Sequence, residues 1–168
     1  MSSSDRRTFL RLAAVALGGA GLAACGFTPA YGPSGGAGKL LSQVDFTDPR
    51  TRDEFALTEQ LAERLGPPNS PRYRLEYGIR TEVLGQAITP DNATTRYSLS
   101  GNVDYTLRDI GTNAVLLTGR AASFTSWSAS GSAVATQTAS EDARRRLMVI
   151  LADQIVTRLL AQAGSLPQ

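Results

Sequence analysis

The chain has 168 residues, with one cysteine, no histidine, 17 basic and 15 acidic side chains. A lone cysteine excludes a disulfide within the chain, and the lack of histidine removes the commonest general base and metal ligand. No enzyme, no metal and no nucleic-acid partner is expected of this composition.

The first 24 residues carry the three parts of an export signal. Arg6, Arg7 and Arg11 form a charged start, and an apolar stretch from Leu12 to Leu22 follows, too short for the roughly 20 residues of a membrane span. Leu22-Ala23-Ala24-Cys25 resembles a bacterial lipobox. That resemblance implies a thiol alkylated by diacylglycerol, cleavage before Cys25 and N-acylation of the new amine, so the one covalent group expected is lipid on Cys25. Arg6-Arg7-Thr8-Phe9-Leu10 also resembles a twin-arginine export motif, and the twin-arginine and general secretory routes both end at the lipobox. Gly26 stands where an Asp commonly retains a lipoprotein at the inner membrane. This favours the outer membrane of a Gram-negative bacterium.

The signal takes three of the basic residues and one of the acidic ones, leaving 14 of each in the remaining 144 residues. No later stretch reads as apolar enough to span a bilayer. Residues 25–38 read as the lipidated cysteine and a Gly/Pro-rich tether, and 39–168 as one domain. Phe27 and Tyr31 interrupt the tether and are expected to dock on the domain.

Residues 39–47 predict a short strand. Residues 48–66 predict a helix, with Asp48 as cap, Pro49 at the first helical position and a face of Phe55, Thr58, Leu61, Ala62 and Leu65. Three longer strands follow at 72–88, 96–108 and 114–129. The first alternates Tyr73, Leu75, Tyr77, Ile79 and Val83 against Arg72, Arg74, Glu76, Arg80 and Glu82; the second alternates Tyr97, Leu99, Val103, Tyr105 and Leu107 against Ser98, Asn102, Asp104 and Arg108. The third has blurred alternation, as for a strand covered on both faces or carrying a bulge. Residues 130–137 read as a small-residue loop and the last 30 as a helix with a stripe of Ala143, Leu147, Ile150, Leu151, Ile155 and Leu159. Glu141–Arg145 and Asp142–Arg146 at i,i+4 make Arg144-Arg145-Arg146 a salt-bridged solvated face.

The order β-α-β-β-β-α predicts an α+β two-layer sandwich, an about four-stranded, mostly antiparallel sheet with both amphipathic helices on one face. The helix between the first two strands makes a parallel pair there expected. The other face is polar and open. Glu76 and Glu82 fall on it as solvated carboxylates rather than a catalytic pair.

Cys25-Gly26-Phe27, the segment from Tyr97-Ser98-Leu99 through Val103 to Leu107 with its turn at Asp109-Ile110-Gly111, and an acid-led final helix from Glu141-Asp142 to Arg158-Leu159-Leu160 together resemble the lipopolysaccharide-assembly lipoprotein LptE (rare lipoprotein B) family. The resemblance implies a non-enzymatic outer-membrane lipoprotein that plugs the β-barrel LptD, supports its assembly and contacts lipopolysaccharide. It also implies cations near the hairpin between the second and third strands and before the last helix, facing lipid A phosphates. This chain has Asp91 and Asn92 at the first position and Ala135-Thr136-Gln137-Thr138 at the second. Arg96 is then the nearest candidate for lipopolysaccharide contact, and Arg120 a weaker one. The residues alone leave two rivals: a free-standing periplasmic lipoprotein binding a lipid or sugar on its open sheet, and a hydrolase using buried carboxylates, which the absence of histidine and of a spare cysteine disfavours.

Overall fold

A computed structural model describes residues 36–88, 94–129 and 132–167, all of which lie in one compact unit, Gly36–Gln168. The unit opens three residues before the expected boundary, because Gly36–Lys39 forms a 3-10 turn against the chain's other end. A Cβ at Gly36 would lie 2.6 Å from the nitrogen of Gly164, so only glycine allows this approach. The single lysine completes the clasp, Lys39 Nζ donating to the Leu166 carbonyl at 2.6 Å.

Strand β1 (Val44–Phe46) leads into helix α1 (Arg52–Leu65). The helix starts later than Asp48 would have it. Thr51 Oγ1 accepts from the Glu54 amide while Glu54 Oε2 accepts from the Thr51 amide, each at 3.2 Å. This capping box satisfies two orphan donors at once, which Asp48 alone could not do. The buried stripe is Leu57, Leu61 and Leu65, a rotation from the expected face that leaves Phe55 exposed. Gly66 ends the helix at φ 82°, a conformation that favours glycine.

Three long strands follow: β2 (Tyr73–Ile88), β3 (Thr94–Asp109) and β4 (Val115–Ser128). The sheet order is β1-β2-β3-β4, with β1 parallel to β2 and the rest antiparallel, as the strand and helix order predicts. Asp109 Oδ1 holds the β3–β4 turn by accepting from the amide and hydroxyl of Thr112 at 2.9 and 3.1 Å.

Helix α2 (Ala133–Gln162) begins inside the expected loop, because the Ser132 hydroxyl caps it by accepting from the Ala135 amide. Its buried stripe adds Met148, Ala152 and Val156 to the expected residues, while Ile150 lies partly in solvent. By length and composition α2 could cross a membrane, contrary to the sequence expectation; here its apolar stripe is the core of the domain. Each fully buried leucine contributes about 1.5–3 kcal/mol.

Both helices lie on one face of the sheet. Helix α2 packs along β4 and β3, and α1 packs beside α2. The blurred pattern of β4 has its reason here. On its helix-facing side Ala121, Ser123 and Thr125 are small enough for α2 to approach, Thr125 Oγ1 donating to the Ala143 carbonyl, while Gly119 leaves room for the ring of Tyr105. Gly101 on β3 serves the same approach, since a Cβ there would meet Leu147 at 2.8 Å.

Candidate functional site

The helix-free face carries the chain's polar strand positions in register, and they pair across strands. Arg74 meets Asp45 at 3.0 Å and Arg108 meets Glu76 at 2.9 Å. Asp104 on β3 is shared by Arg80 on β2 at 2.7 Å and Arg120 on β4 at 2.5 Å. The Arg120 hydrogen bond, more than its charge, holds the Asp104 carboxyl below the usual carboxylate range. Asp104 in turn raises Arg120 above its ordinary value. Two guanidinium groups on one carboxylate leave the cluster with one positive charge in excess.

Beyond this ladder the face changes character. Leu84 and Phe124 stand exposed among Ser98, Ser100 and Ser126. Arg96 sits at the far end, opposite Ser128, and is exposed. The structure does not bring the two arginine candidates together. Eight residues of β3 separate Arg96 from the partner of Arg120, about 26 Å along the strand. Arg120 is held by Asp104, whereas Arg96 makes no ion pair among the described residues. Cys25, with Leu22, Ala23, Ala24, Arg6 and Arg7, lies outside the described residues, as do Phe27, Tyr31, Asp91 and Asn92.

The helix face is held by ion pairs between helices. Arg52 meets Glu141 at 3.4 Å, Arg144 meets Asp53 at 3.1 Å and Arg64 meets Asp153 at 2.9 Å. The expected Asp142–Arg146 pair forms, but Glu141 turns to Arg52 rather than to Arg145. Burial pushes the phenols of Tyr77 and Tyr105 up. Among the described residues no cluster of His, Cys, Asp and Glu could hold a metal. The Arg80–Asp104–Arg120 cluster was not singled out as a site beforehand. All three residues have the parity of the polar face, but their meeting depends on the register of three strands.

Comparison with protein families matches residues 41–159 to the LptE lipopolysaccharide-assembly model. The chain belongs to the LptE family. Family membership makes it a relative of lipopolysaccharide-transport lipoproteins, as its sequence resemblance implied. Comparison with curated proteins finds no match. Among solved structures, a lipoprotein candidate from Caulobacter crescentus superposes with TM-score 0.64 at 20% identity, covering 78% of this chain and 98% of its own. Rare lipoprotein B from Shewanella oneidensis gives 0.55 at 13%, covering 73% and 96%. Lipoprotein B from Nitrosomonas europaea gives 0.53 at 15%, covering 72% and 84%. At these identities the structures share the fold of this LptE-family chain.

Proposed function

We propose that this chain is an outer-membrane lipoprotein that plugs the LptD β-barrel and supports its assembly during lipopolysaccharide transport to the cell surface. Family membership over residues 41–159 is the observation that carries the reading. Cys25 carries the diacylglycerol and N-acyl chains, with Leu22-Ala23-Ala24 as the signal-peptidase site. Acyl chains on one residue hold firmly, because each buried methylene contributes about 0.8 kcal/mol.

The architecture supports a plug in two ways. Strands of 16 residues give a body about 53 Å long, comparable to a barrel and its rim. Its open face is a ladder of ion pairs and hydroxyls, suited to a hydrated barrel wall rather than to lipid tails. The described domain begins at Gly36, beside its own C-terminal end, while Arg96 lies toward the opposite end of the sheet. For lipopolysaccharide phosphate this favours Arg96, since Arg120 already shares Asp104 with Arg80.

A pull-down of the full-length tagged chain from native membranes in mild detergent tests the reading. One large β-barrel in equal amount is the expected result. Recovery of the chain alone, under conditions that keep barrel complexes whole, overturns it in favour of a free-standing lipid- or sugar-binding lipoprotein.

A further inference from the structure

Tyr97 on β3 and Trp127 on β4 are register partners on the helix side of the sheet. Their rings stack with centroids 5.2 Å apart and planes 15° from parallel. Trp127 packs against the core. The next place in the row, on β2, belongs to Gly85, so the row has no third side chain beside Tyr97. A register shift follows Gly85, a bulge of the kind that re-aims a strand next to a site. The result is a slot floored by Gly85 and flanked along β2 by Val83, which is exposed. Thr94 closes the other flank, since a Cβ at Gly85 would lie 3.1 Å from its Cγ2 and 3.6 Å from its Oγ1.

Unused hydrogen-bonding groups rim the slot. The Tyr97 and Thr94 hydroxyls have no partner among the described residues. Strand β1 pairs with β2 only from Tyr73 to Leu75, and the Leu75 carbonyl turns outward to the Thr47 amide. Alternation gives Gly85, at the same parity, backbone groups that also turn away from β3. The nearby charges of Glu82 and Arg96 have the opposite parity and lie on the other face.

We propose that this slot binds one neutral pyranose ring, stacked on Tyr97 as the third member of the row. A strand spacing of about 4.8 Å puts a ring over Gly85 at stacking distance from Tyr97. The C–H face of a sugar carries partial positive charge, which suits the negative face of the phenol ring. Its hydroxyls reach those of Tyr97 and Thr94 and the Gly85 backbone. An aromatic side chain would stack as well but would leave these polar groups unpartnered. A phosphate or sugar acid would find no cation in this row. The inference does not rest on the barrel reading, because a free-standing lipoprotein would carry the same slot.

Saturation-transfer NMR tests it on the purified full chain, in a detergent without a sugar headgroup. The probes are methyl β-glucopyranoside and methyl α-mannopyranoside. Transfer to the ring C–H protons of at least one glycoside is expected, half-saturating at about 1–10 mM, the range open to one small ring. Gly85→Val fills the slot and is expected to weaken binding about tenfold or more. Tyr97→Phe keeps the stack, removes one hydroxyl and is expected to weaken binding about threefold. Emission from Trp127, the single tryptophan, checks that each variant keeps the stacked pair. No transfer to either glycoside, or transfer undiminished in G85V, overturns the proposal. So does transfer to p-cresol alone, which would make the slot a seat for an aromatic side chain.

Discussion

Val83 and Leu99 are partners across β2 and β3, on the same face of the sheet, yet Leu99 is fully buried and Val83 is 43% exposed. The difference lies in the helices beneath them. Helix α2 has 30 residues and spans about 45 Å, long enough to follow β3 and β4 to the stacked rings of Tyr97 and Trp127. Helix α1 has 14 residues, about 21 Å, and covers β2 as far as Ile79. From Thr81 to Gln86 every residue of β2 is exposed. Among the described residues strand pairing alone sustains this segment, while the β3 segment opposite it is part of the core. Identical alternation in sequence therefore has two meanings, depending on how far a helix reaches.

The comparison breaks first in the covered region. Leu151→Ala removes a side chain that is fully buried between α2 and Gly101. It is expected to destabilise the domain by about 2–5 kcal/mol in denaturant unfolding. Next is the cap of the shorter helix, where Thr51→Ala removes one half of the capping box. A loss of about 1 kcal/mol is expected by the same measurement.

Acid acts on the turn at the end of β3. The Thr112 amide, with the Thr112 hydroxyl and Arg72 nearby, holds the Asp109 carboxyl below its ordinary value. A lowered folded pKa contributes stability at neutral pH that is lost as pH falls through the carboxylate range and below. Asp109→Asn is expected to flatten the acid limb of a stability–pH profile without changing its shape near neutrality. The smallest effect belongs to the uncovered segment. Leu84→Ser, at a side chain 58% exposed on the open face, is expected to stay within about 0.5 kcal/mol of the parent. A loss comparable to that of Leu151→Ala would mean that this segment is covered in the isolated chain, and would sharpen the case against a free-standing β2 end.

Much of the fold was legible because its signals are local. Alternation marked β2 and β3 to within two residues at each end, since a half-buried strand has to alternate. The turn at Asp109 to Asn113 was readable from side chains that bond their own backbone. The face of α1 was misread because Phe55 looks like a core residue, and hydrophobicity by itself does not say which stripe meets a neighbour. The start of α2 was misread because Ser and Ala suit loops and helices alike, and the cap at Ser132 outweighs composition. Of the candidate site, Arg96 was recognisable at the edge of the β2–β3 hairpin and Arg120 as an arginine of β4. Their different fates, one paired across to Asp104 and the other without an ion partner among the described residues, were not.

By itself the sequence determined the element types, the α+β class and the polar face, because these follow from periodicity and from local chemistry that each segment carries alone; the family followed from the resemblance of its motifs to known members. Tertiary structure decided the rest. Strand register brought Arg80, Asp104 and Arg120 onto one carboxylate. Relative helix length decided which half of β2 is core, and the closeness of α2 decided why β4 is built of small residues. Each of these depends on distances between segments far apart in the chain, and such distances exist only once the chain has closed on itself.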